Sequence, residues 1–444
     1  MTDYFMKNPI ITPEGAALRT RRQFIKTSSA AAMAGIFAAN LSFPEKTFAA
    51  NTDTIKIGLV GCGGRGSGAA LNALMADPNV VLVAMGDAFE DRLKSSLANL
   101  KGNKEAGARV QVDPDHCFVG LDAYKKVLDS GIDLIILATP PGFRPMHLKA
   151  AVEANKHIFT EKPMATDAAG VRSVMETVKL AKEKKLAMVA GFCWRYNYGE
   201  RAGVKLIHEG AIGDIRAIYS TYNTGTLWSF PRKEGWTDLE SQMRNWYYFT
   251  WLGGDHLVEQ AVHSVDKMIW AMNDVAPVRA VAHGGRQVRT GADFGHIYDH
   301  FEVVYDFPNG AKGFMFCRQM DNCSNDNSDT IMGTKGVARI NGFRKGPDIR
   351  GEKNWDFEGP RPDMYQVEHN ELFASIRAGK PNFDGDWMIQ TTLMAIMGRM
   401  AAYTGQSITW EEALNSKESL MPSLDWNAKI PTPAVAMPGK YPLI

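Results

Sequence analysis

From Thr54 onward, short apolar runs alternate with segments in which apolar and polar residues follow a helical period. The apolar runs occupy residues 55–61, 80–87, 133–141, 157–163 and 186–194. The amphipathic segments occupy residues 66–76, 92–100, 147–155 and 168–185. Strands that are apolar throughout and separated by helices are typical of a parallel sheet covered on both faces, so the pattern predicts an α/β fold for this part of the chain.

The pattern changes after about residue 200. Residues 215–223, 278–285 and 300–317 alternate apolar and polar side chains, as strands with one buried face do. A Pro-Asn-Gly turn at 308–310 divides the last run into a hairpin, so we expect an open and mainly antiparallel sheet.

The C-terminal part of the chain predicts two helices and an arm. Residues 366–379 and 392–405 have a helical pattern, and the second helix should end at Gly405. Residues 425–444 contain four prolines and no helical period. We expect residues 421–444 to form an extended arm that wraps a partner subunit.

Composition excludes little. The 444 residues carry a formal net charge of +1, with 45% hydrophobic and 22% charged residues. This is ordinary globular composition, sufficient for two domains, and its charge does not favour nucleic acid or an anionic membrane as a partner. The five cysteines form no CxxC pair, so neither a disulfide framework nor a thiolate zinc site is expected, and a single disulfide stays open as an alternative.

The N-terminus resembles a twin-arginine export signal. Residues 20–26 read TRRQFIK, a weakly apolar run follows, and Ala49 and Ala50 offer a peptidase site. The run is too short and too rich in alanine for a stable membrane span. We therefore expect residues 1–50 to be a signal peptide and linker that the twin-arginine machinery exports with the folded protein, which would be periplasmic or otherwise exported. The alternative is a cytoplasmic protein with a basic tail.

A glycine-rich loop joins the first predicted strand to the first predicted helix. Its members are Gly61, Gly63, Gly64, Arg65 and Gly66. Such glycines allow a tight turn, approach of a pyrophosphate to backbone amides, and close packing of helix on strand. Asp87 ends the second strand about 20 residues later, where a carboxylate binds ribose hydroxyls and repels a 2′-phosphate. We predict a Rossmann domain that binds NAD rather than NADP. Two alternatives remain open: Arg65 could neutralise a 2′-phosphate, or the loop could hold no nucleotide.

Two further turns are distinctive: residues 138–147 read ATPPGFRPMH, and residues 160–165 read TEKPMA, which places Lys162 between a predicted strand and a proline. Together with the glycine loop and the GTKG turn at 333–336, they resemble the Gfo/Idh/MocA family, which includes glucose–fructose oxidoreductase and inositol dehydrogenase. The resemblance runs from about residue 54 to the C-terminus. It implies a C-terminal α/β domain whose open antiparallel sheet commonly forms an oligomer interface, so we expect a dimer or tetramer. It adds these residues to the cofactor site: Thr139, Pro140, His147, Glu161 and Lys162.

The resemblance also carries a motif in the second domain. The family pattern has an Asp four residues before a His and another Asp three residues after it. His263 and Asp266 match the last two positions, whereas the first is Glu259, which keeps the charge and adds a methylene. An extra Asp255-His256 pair precedes it, and Asp255, Glu259 and His263 should share one helix face.

Hydride transfer from a carbinol needs a base that removes the hydroxyl proton. We assign His263 as the acid/base and Lys162 as the group that polarises the oxygen, and these two roles could be exchanged. Glu259 would hold the histidine tautomer or bind a second hydroxyl. His256, Glu259 and His263 could instead ligate a metal, but two of them lie two turns apart on a straight helix, so we predict no metal. A helix histidine capped by local carboxylates is a further alternative.

Residues 223–254 hold four of the ten tryptophans. Indole faces pack on sugar C–H surfaces, so this stretch predicts a carbohydrate site, although a core or subunit-contact loop is the alternative. The expected substrate contacts are Arg195, Tyr196, Trp246, Tyr247, Asp255 and His256.

These expectations define four segments: the signal and linker (1–50), a Rossmann NAD(P)-binding domain (51–195), a substrate-binding α/β domain (196–420) and the arm (421–444). An exported dehydrogenase has no soluble NAD pool, so its cofactor must be held tightly and returned to its starting state. Oxidation of one carbohydrate with reduction of another meets this condition. So does an NAD-dependent glycosidase, which oxidises transiently, eliminates and reduces back. It needs an additional base beside the sugar, which Tyr247, Tyr248 or Asp255 could supply. A non-catalytic sugar-binding protein is the third hypothesis.

Overall fold

The computed structural model describes residues 53–340 and 346–444, so the predicted export signal lies outside the described residues. The strands of the first sheet are β1 (Ile55–Val60), β2 (Val80–Asp87), β3 (Cys117–Val119), β4 (Leu134–Leu137), β5 (His157–Thr160) and β6 (Met188–Ala190). All pairings are parallel, in the order β3-β2-β1-β4-β5-β6. The predicted parallel sheet is therefore confirmed.

Helices connect these strands and continue into the second half of the chain. In chain order they are α1 (Gly64–Ala76), α2 (Glu90–Lys101), α3 (Ala123–Leu128), α4 (Arg144–Glu153), α5 (Ala168–Glu183), α6 (Tyr198–His208), α7 (Asp238–Arg244), α8 (Thr250–Gly253), α9 (His256–Glu259), α10 (Val262–Ala271), α11 (Met364–Arg377), α12 (Gly385–Thr404) and α13 (Trp410–Asn415).

The strand order of the first sheet determines where a ligand can bind. β1 lies between β2 and β4, so the chain leaves β1 on one side and returns on the other. Connections that diverge in this way open a crevice at the carboxyl ends of the strands, which is where open α/β sheets bind ligands. The glycine loop after β1 and the turn after β4 meet at this crevice.

The second sheet has nine strands in the order β14-β13-β12-β11-β7-β10-β9-β8-β15. They are β7 (Ile215–Thr224), β8 (Arg279–Gly285), β9 (His300–Asp306), β10 (Lys312–Gln319), β11 (Asp329–Gly333), β12 (Gly336–Ile340), β13 (Asp348–Gly351), β14 (Trp355–Asp356) and β15 (Ile408–Thr409). Only the pairing of β7 with β10 is parallel, so a mainly antiparallel sheet is confirmed. The predicted hairpin joins β9 and β10, with Gly310 at φ +83°.

The C-terminal helices return to the Rossmann domain. Leu372 and Phe373 of α11 are fully buried in the core cluster that also holds the buried side chains of α1 and β1. α12 is buried along nearly its whole length, and Gly405 ends it in the left-handed conformation, as predicted. The segment 196–420 therefore supplies part of the core beneath the first sheet, and the division at residues 195/196 stays a prediction.

The proline-rich arm lies against its own chain. The Trp426 ring is 6.0 Å from that of Phe89, and the Ala436 carbonyl accepts a 2.9 Å hydrogen bond from the Tyr298 hydroxyl. Wrapping of a partner subunit stays a prediction. Within residues 53–340 and 346–444, none of the helices combines the length and hydropathy that crossing a membrane requires.

A buried ion pair fixes α10 on the second sheet. The ammonium of Lys267 contacts the carboxylate of Asp329 on β11, and both side chains are at most 2% exposed. Burial favours the neutral lysine, but the charges of Asp329 and Glu200, with the hydrogen bond to Asp329, together outweigh it and raise the pKa of Lys267. α10 also carries His263, so this pair sets where that ring lies.

Replacing Lys267 by Met should lower the free energy of unfolding by about 3–5 kcal/mol, because Asp329 would be left charged and unpaired in the core. Urea denaturation measures the change. The double variant Lys267→Met/Asp329→Leu should recover most of the loss, because it removes both charges together. Equal stability of the single variant and the wild type would show that the pair does not hold this helix.

Candidate active site

A cavity of about 610 Å³ opens at the carboxyl ends of the parallel strands. Its walls come from the ends of β1, β2, β4 and β5, from β7, and from α9 and α10. Most of the predicted site residues line it: Gly61, Gly63, Gly64, Arg65, Gly66, Asp87, Thr139, Pro140, His147, Glu161, Lys162, Trp246, Glu259 and His263.

The glycine loop has the geometry that a dinucleotide requires. A Cβ on Gly66 would lie 1.8 Å from the Gly61 carbonyl oxygen, so only glycine lets α1 pack this closely on β1. A Cβ on Gly63 or Gly64 would meet nothing within 4 Å, so the loop leaves space on its cavity side. No side chain caps the N-terminus of α1. Its amides can therefore hold an anionic pyrophosphate.

Asp87 lies beside the loop, at the end of β2. One carboxylate oxygen accepts a 2.6 Å hydrogen bond from the Cys62 amide, and the other accepts a 2.9 Å bond from the Phe89 amide. Burial raises the pKa of Asp87, and these backbone bonds oppose the shift. The carboxylate keeps lone pairs on the cavity side for ribose hydroxyls.

Arg65 is directed away from Asp87. Its Nε lies 2.5 Å from a carboxylate oxygen of Glu161, at the end of β5, and its NH2 lies 3.5 Å from Glu368 of α11. β5 and β2 lie on opposite sides of β1 in the sheet. The guanidinium is therefore engaged far from the position of a 2′-phosphate, which removes the main sequence argument for NADP.

Arg144 holds the turn after β4, residues 138–143, by hydrogen bonds. Its guanidinium donates to the carbonyls of Leu137 and Thr139, at 2.9 and 2.8 Å. The Thr139 hydroxyl and His147 Nδ1 are 3.1 Å apart. Burial, assisted by the charge of Arg144, lowers the pKa of His147 to about 3, so its ring is neutral and serves as a hydrogen-bonding wall of the cavity.

Lys162 and Glu259 form an ion pair between the two domains. The ammonium donates to Glu259 Oε1 at 2.7 Å and to the Glu259 carbonyl at 2.5 Å. Both side chains are about one-eighth exposed, at 12% and 13%. The expectation that Glu259 holds the tautomer of His263 is therefore corrected, since its carboxylate holds Lys162 instead.

His263 is neutral and nearly buried. The residue is 9% exposed and lines the cavity, and its Nδ1 is buried. Burial is the main cause that lowers the pKa of His263 well below its ordinary value, and the positive charges of Lys162 and Lys267 add to it. A neutral imidazole can accept a proton through its other nitrogen, Nε2.

The expected continuous helix from Asp255 to His263 is wrong. α9 ends at Glu259 and α10 begins at Val262, so the two carboxylates and the histidine do not lie in one row. Asp255 is fully buried at φ +78° and accepts hydrogen bonds from the amides of His256 and Tyr298 and from the Tyr403 hydroxyl.

Asp255 and His256 therefore do not reach the cavity. The carboxylate of Asp255 organises the start of α9, and His256 Nδ1 lies 3.1 Å from it. His256 is 1% exposed, beneath Phe301. Their assignment as substrate contacts is corrected. Within the residues that the structure describes, no three His, Cys, Asp or Glu side chains converge as a metal site would require.

Arg195 and Tyr196 also serve the fold. Arg195 donates to both oxygens of Asp266 at 3.0 Å, and its guanidinium stacks on Trp387 at 3.9 Å. The Tyr196 hydroxyl donates to Asp384 at 2.9 Å. Neither residue lines the cavity, so both assignments are corrected.

The aromatic stretch divides into two parts. Trp228, Phe230 and Trp246 line the cavity. Tyr247 is 2% exposed and its hydroxyl accepts a 2.8 Å bond from Gln319, so its assignment as a substrate contact is corrected. Trp251 is likewise buried and donates to Gln242. The stretch is thus part cavity wall and part core.

Sequence reasoning missed several residues that line the cavity, among them Tyr222, Gln260 and Tyr365. Tyr222 lies on β7, where burial and then the charge of Glu259 raise its pKa to about 12. The alternation of β7 gave a weak signal for Tyr222. Tyr365 lies on α11, and its ring is 4.6 Å from the guanidinium of Arg65. No local sequence pattern predicts this contact, because the two residues are far apart in the chain.

Comparison with known families matches both halves of the chain. Residues 55–192 match the model of an oxidoreductase family with an NAD-binding Rossmann fold. Residues 201–339 match the GFO/IDH/MocA C-terminal domain.

Individual relatives are distant. Inositol 2-dehydrogenase 3 of Saccharopolyspora erythraea is 22% identical over 341 residues, 75% of this chain and 88% of that protein. The 2,7-anhydro-N-acetylneuraminate hydratase of Escherichia coli K12 is 25% identical over 209 residues, 47% of this chain and 51% of the hydratase, so the chain spans about half of that relative. The crystal structure of aldose-aldose oxidoreductase from Caulobacter crescentus, complexed with glycerol, shares the fold. Its TM-score is 0.63 at 17% identity, over 80% of this chain and 99% of that one.

Replacing Gly66 by Ala should lower the free energy of unfolding by about 1–3 kcal/mol, because the new methyl group forces α1 away from β1. NAD affinity should fall about tenfold or more as the loop amides move. Urea denaturation measures the change in stability. Titration of nucleotide-free protein with NAD, followed by tryptophan fluorescence, measures the change in affinity. Gly68→Ala is the matched control, because its Cβ meets only Arg65 NH1 at 3.7 Å. Wild-type NAD affinity in the Gly66 variant would contradict the assignment of the loop.

Proposed function

We propose that this chain, which belongs to the Gfo/Idh/MocA family of oxidoreductases with an NAD-binding Rossmann domain, transfers hydride between NAD and a carbinol carbon of a carbohydrate or polyol. One observation carries the proposal. The Lys162–Glu259 pair and the neutral ring of His263 line the same cavity as the glycine loop and Asp87. An ammonium, an imidazole and a nucleotide cradle therefore share one space.

NAD, when bound, supplies the hydride acceptor. The loop amides would hold its pyrophosphate, and Asp87 would bind its ribose. The substrate hydroxyl gives its proton to the neutral ring of His263, and Lys162 stabilises the oxygen as negative charge develops on it. Glu259 occupies two of the three ammonium hydrogens of Lys162, so the third is left for the substrate oxygen.

Carbohydrate as the substrate class rests on the cavity wall. The rings of Trp228 and Trp246, with centroids 6.0 Å apart, offer flat apolar surfaces beside the polar groups. Such surfaces suit the C–H faces of sugars and polyols. The names of the relatives, an inositol 2-dehydrogenase and an aldose-aldose oxidoreductase, agree with this class.

The proposal extends to location. The twin-arginine pattern at residues 20–26 supports export of the folded protein with its cofactor already bound. Outside the cytoplasm the nucleotide must be returned to its starting state within the site, so one carbohydrate is oxidised and another carbonyl compound reduced. Assembly into a dimer or tetramer is part of the same proposal.

The second candidate is an NAD-dependent glycosidase, favoured by the hydratase relative, because elimination and hydration share chemistry. It needs an additional base for a ring C–H. The candidate bases, Tyr247, Tyr248 and Asp255, are buried outside the cavity lining. Tyr222 lines the cavity, but a pKa raised to about 12 leaves little phenolate at neutral pH. Redox exchange is therefore the better supported reaction.

Replacing His263 by Ala or Lys162 by Met should lower kcat/KM roughly 10²–10⁴-fold, because each change removes proton transfer or oxygen stabilisation. The measurement is reduction of bound NAD, followed by nicotinamide fluorescence, after mixing with a panel of aldoses and inositols. Lys149→Met, on an exposed face of α4, is the control and should react as the wild type does. Full activity of the His263 variant would contradict the acid/base assignment, and wild-type protein that holds NAD but oxidises nothing on the panel would contradict the proposed substrate class.

Protein purified from the periplasm should release about one nicotinamide dinucleotide per chain on denaturation, because the closed cycle requires a retained cofactor. Mass spectrometry of the released material identifies and counts it. Protein recovered from the periplasm without nucleotide would contradict the closed cycle, and protein recovered only from the cytoplasm would contradict export.

A further inference from the structure

Two contacts between a guanidinium and an aromatic ring join the domains at the outer edge of the cavity. The guanidinium of Arg92, on α2, lies 5.9 Å from the ring centroid of Phe230. The guanidinium of Arg244, on α7, lies 4.1 Å from the ring centroid of Phe89. Each domain thus gives one cation and one ring, and the two contacts are reciprocal. All four side chains line the cavity.

The contacts lie at one particular end of the cavity. The Phe89 amide donates to Asp87 at 2.9 Å, so the ring of Phe89 follows directly after the carboxylate that binds ribose. The second domain therefore reaches over the adenosine end of the nucleotide site. Lys162 and His263, which carry the proposed chemistry, line the same cavity and take no part in these contacts.

Each partner in these contacts is held by its neighbours. Glu240 accepts a 2.9 Å hydrogen bond from Arg244, and Asp91 accepts another at 3.1 Å. The backbone of Phe230 is fixed on both sides by the side-chain amide of Asn245, at 2.7 Å each. The Asp91 pair is exposed and contributes little by itself. A guanidinium that stacks on a ring contributes more, and desolvation strengthens the contact.

The arm adds support from outside. Trp426 packs on Phe89, with ring centroids 6.0 Å apart. Phe89 thus contacts both the arm and Arg244. Phe230 still has 39% of its surface exposed while lining the cavity, so an occupant would bury more apolar area there.

We propose that Phe89, Arg92, Phe230 and Arg244 form a clasp that retains the dinucleotide, so that its dissociation requires these interdomain contacts to break first. The inference rests on the proposed function, since it names the residues that keep an NAD molecule in place through many turnovers. The clasp residues touch the adenosine end of the site and take no part in proton or hydride transfer.

The test is the rate at which bound NAD exchanges. Purified holoenzyme is mixed with an excess of isotopically labelled NAD, and the bound fraction is separated by gel filtration and analysed by mass spectrometry over time. Arg244→Gln and Phe230→Ala should each exchange about tenfold faster than the wild type, because each change removes one stacking contact. Arg232→Gln is the matched control, since Arg232 lies on the same segment, pairs with Asp238 and does not line the cavity. Its exchange rate should equal that of the wild type.

The ratio of rates tests the clasp, and the wild-type rate tests the retained cofactor. Exchange in Arg244→Gln and Phe230→Ala at the wild-type rate would overturn the clasp even if the wild type holds its NAD for hours. Rapid exchange of NAD in the wild type would instead contradict the closed cycle. A tenfold ratio of variant to wild-type exchange rates would still support the clasp. If Arg244→Gln fails to fold, as judged by circular dichroism, Arg92→Gln tests the reciprocal contact with the same expected ratio.

Discussion

The ion pair between Lys162 and Glu259 is the interaction on which the site depends. It crosses from the end of β5 to the end of α9, and so it places an ammonium of the Rossmann domain against the second domain. The carboxylate compensates a charge that also bears on His263, whose pKa the ammonium lowers. With Glu259 in place, the cavity presents a fixed donor beside a neutral base rather than two competing cations.

The contact with Lys162 shows what the longer side chain of Glu259 does. The family pattern places an aspartate at this position, and the sequence alone left open what a longer side chain would do. In the structure the ammonium is held by both the carboxylate and the carbonyl of Glu259. One residue thus fixes two of the three ammonium hydrogens and leaves the last one in a defined direction.

The sequence was informative where a motif is local. The glycine loop needs its spacing because Gly66 packs against the carbonyl of Gly61. The position of Asp87 follows from the length of one strand–helix–strand unit. Prediction from the sequence failed where the backbone departs from a regular helix. Asp255 at φ +78° starts a short helix that ends before His263, so a spacing of four residues no longer means one face. Contacts between distant segments, such as Arg244 on Phe89, have no periodic signature at all.

Arg65 shows how such a distant contact changes an interpretation. Two carboxylates, Glu161 and Glu368, face its single guanidinium. Burial, and then the charge of Glu161, raise the pKa of Glu368 well above its ordinary value, and the charge of Arg65 opposes this shift. Both contacts of Arg65 lead away from Asp87, where a 2′-phosphate would lie. They also connect the glycine loop to the end of β5, which Lys162 follows. The residue that appeared in the sequence to favour NADP instead links the glycine loop to the turn that carries Lys162.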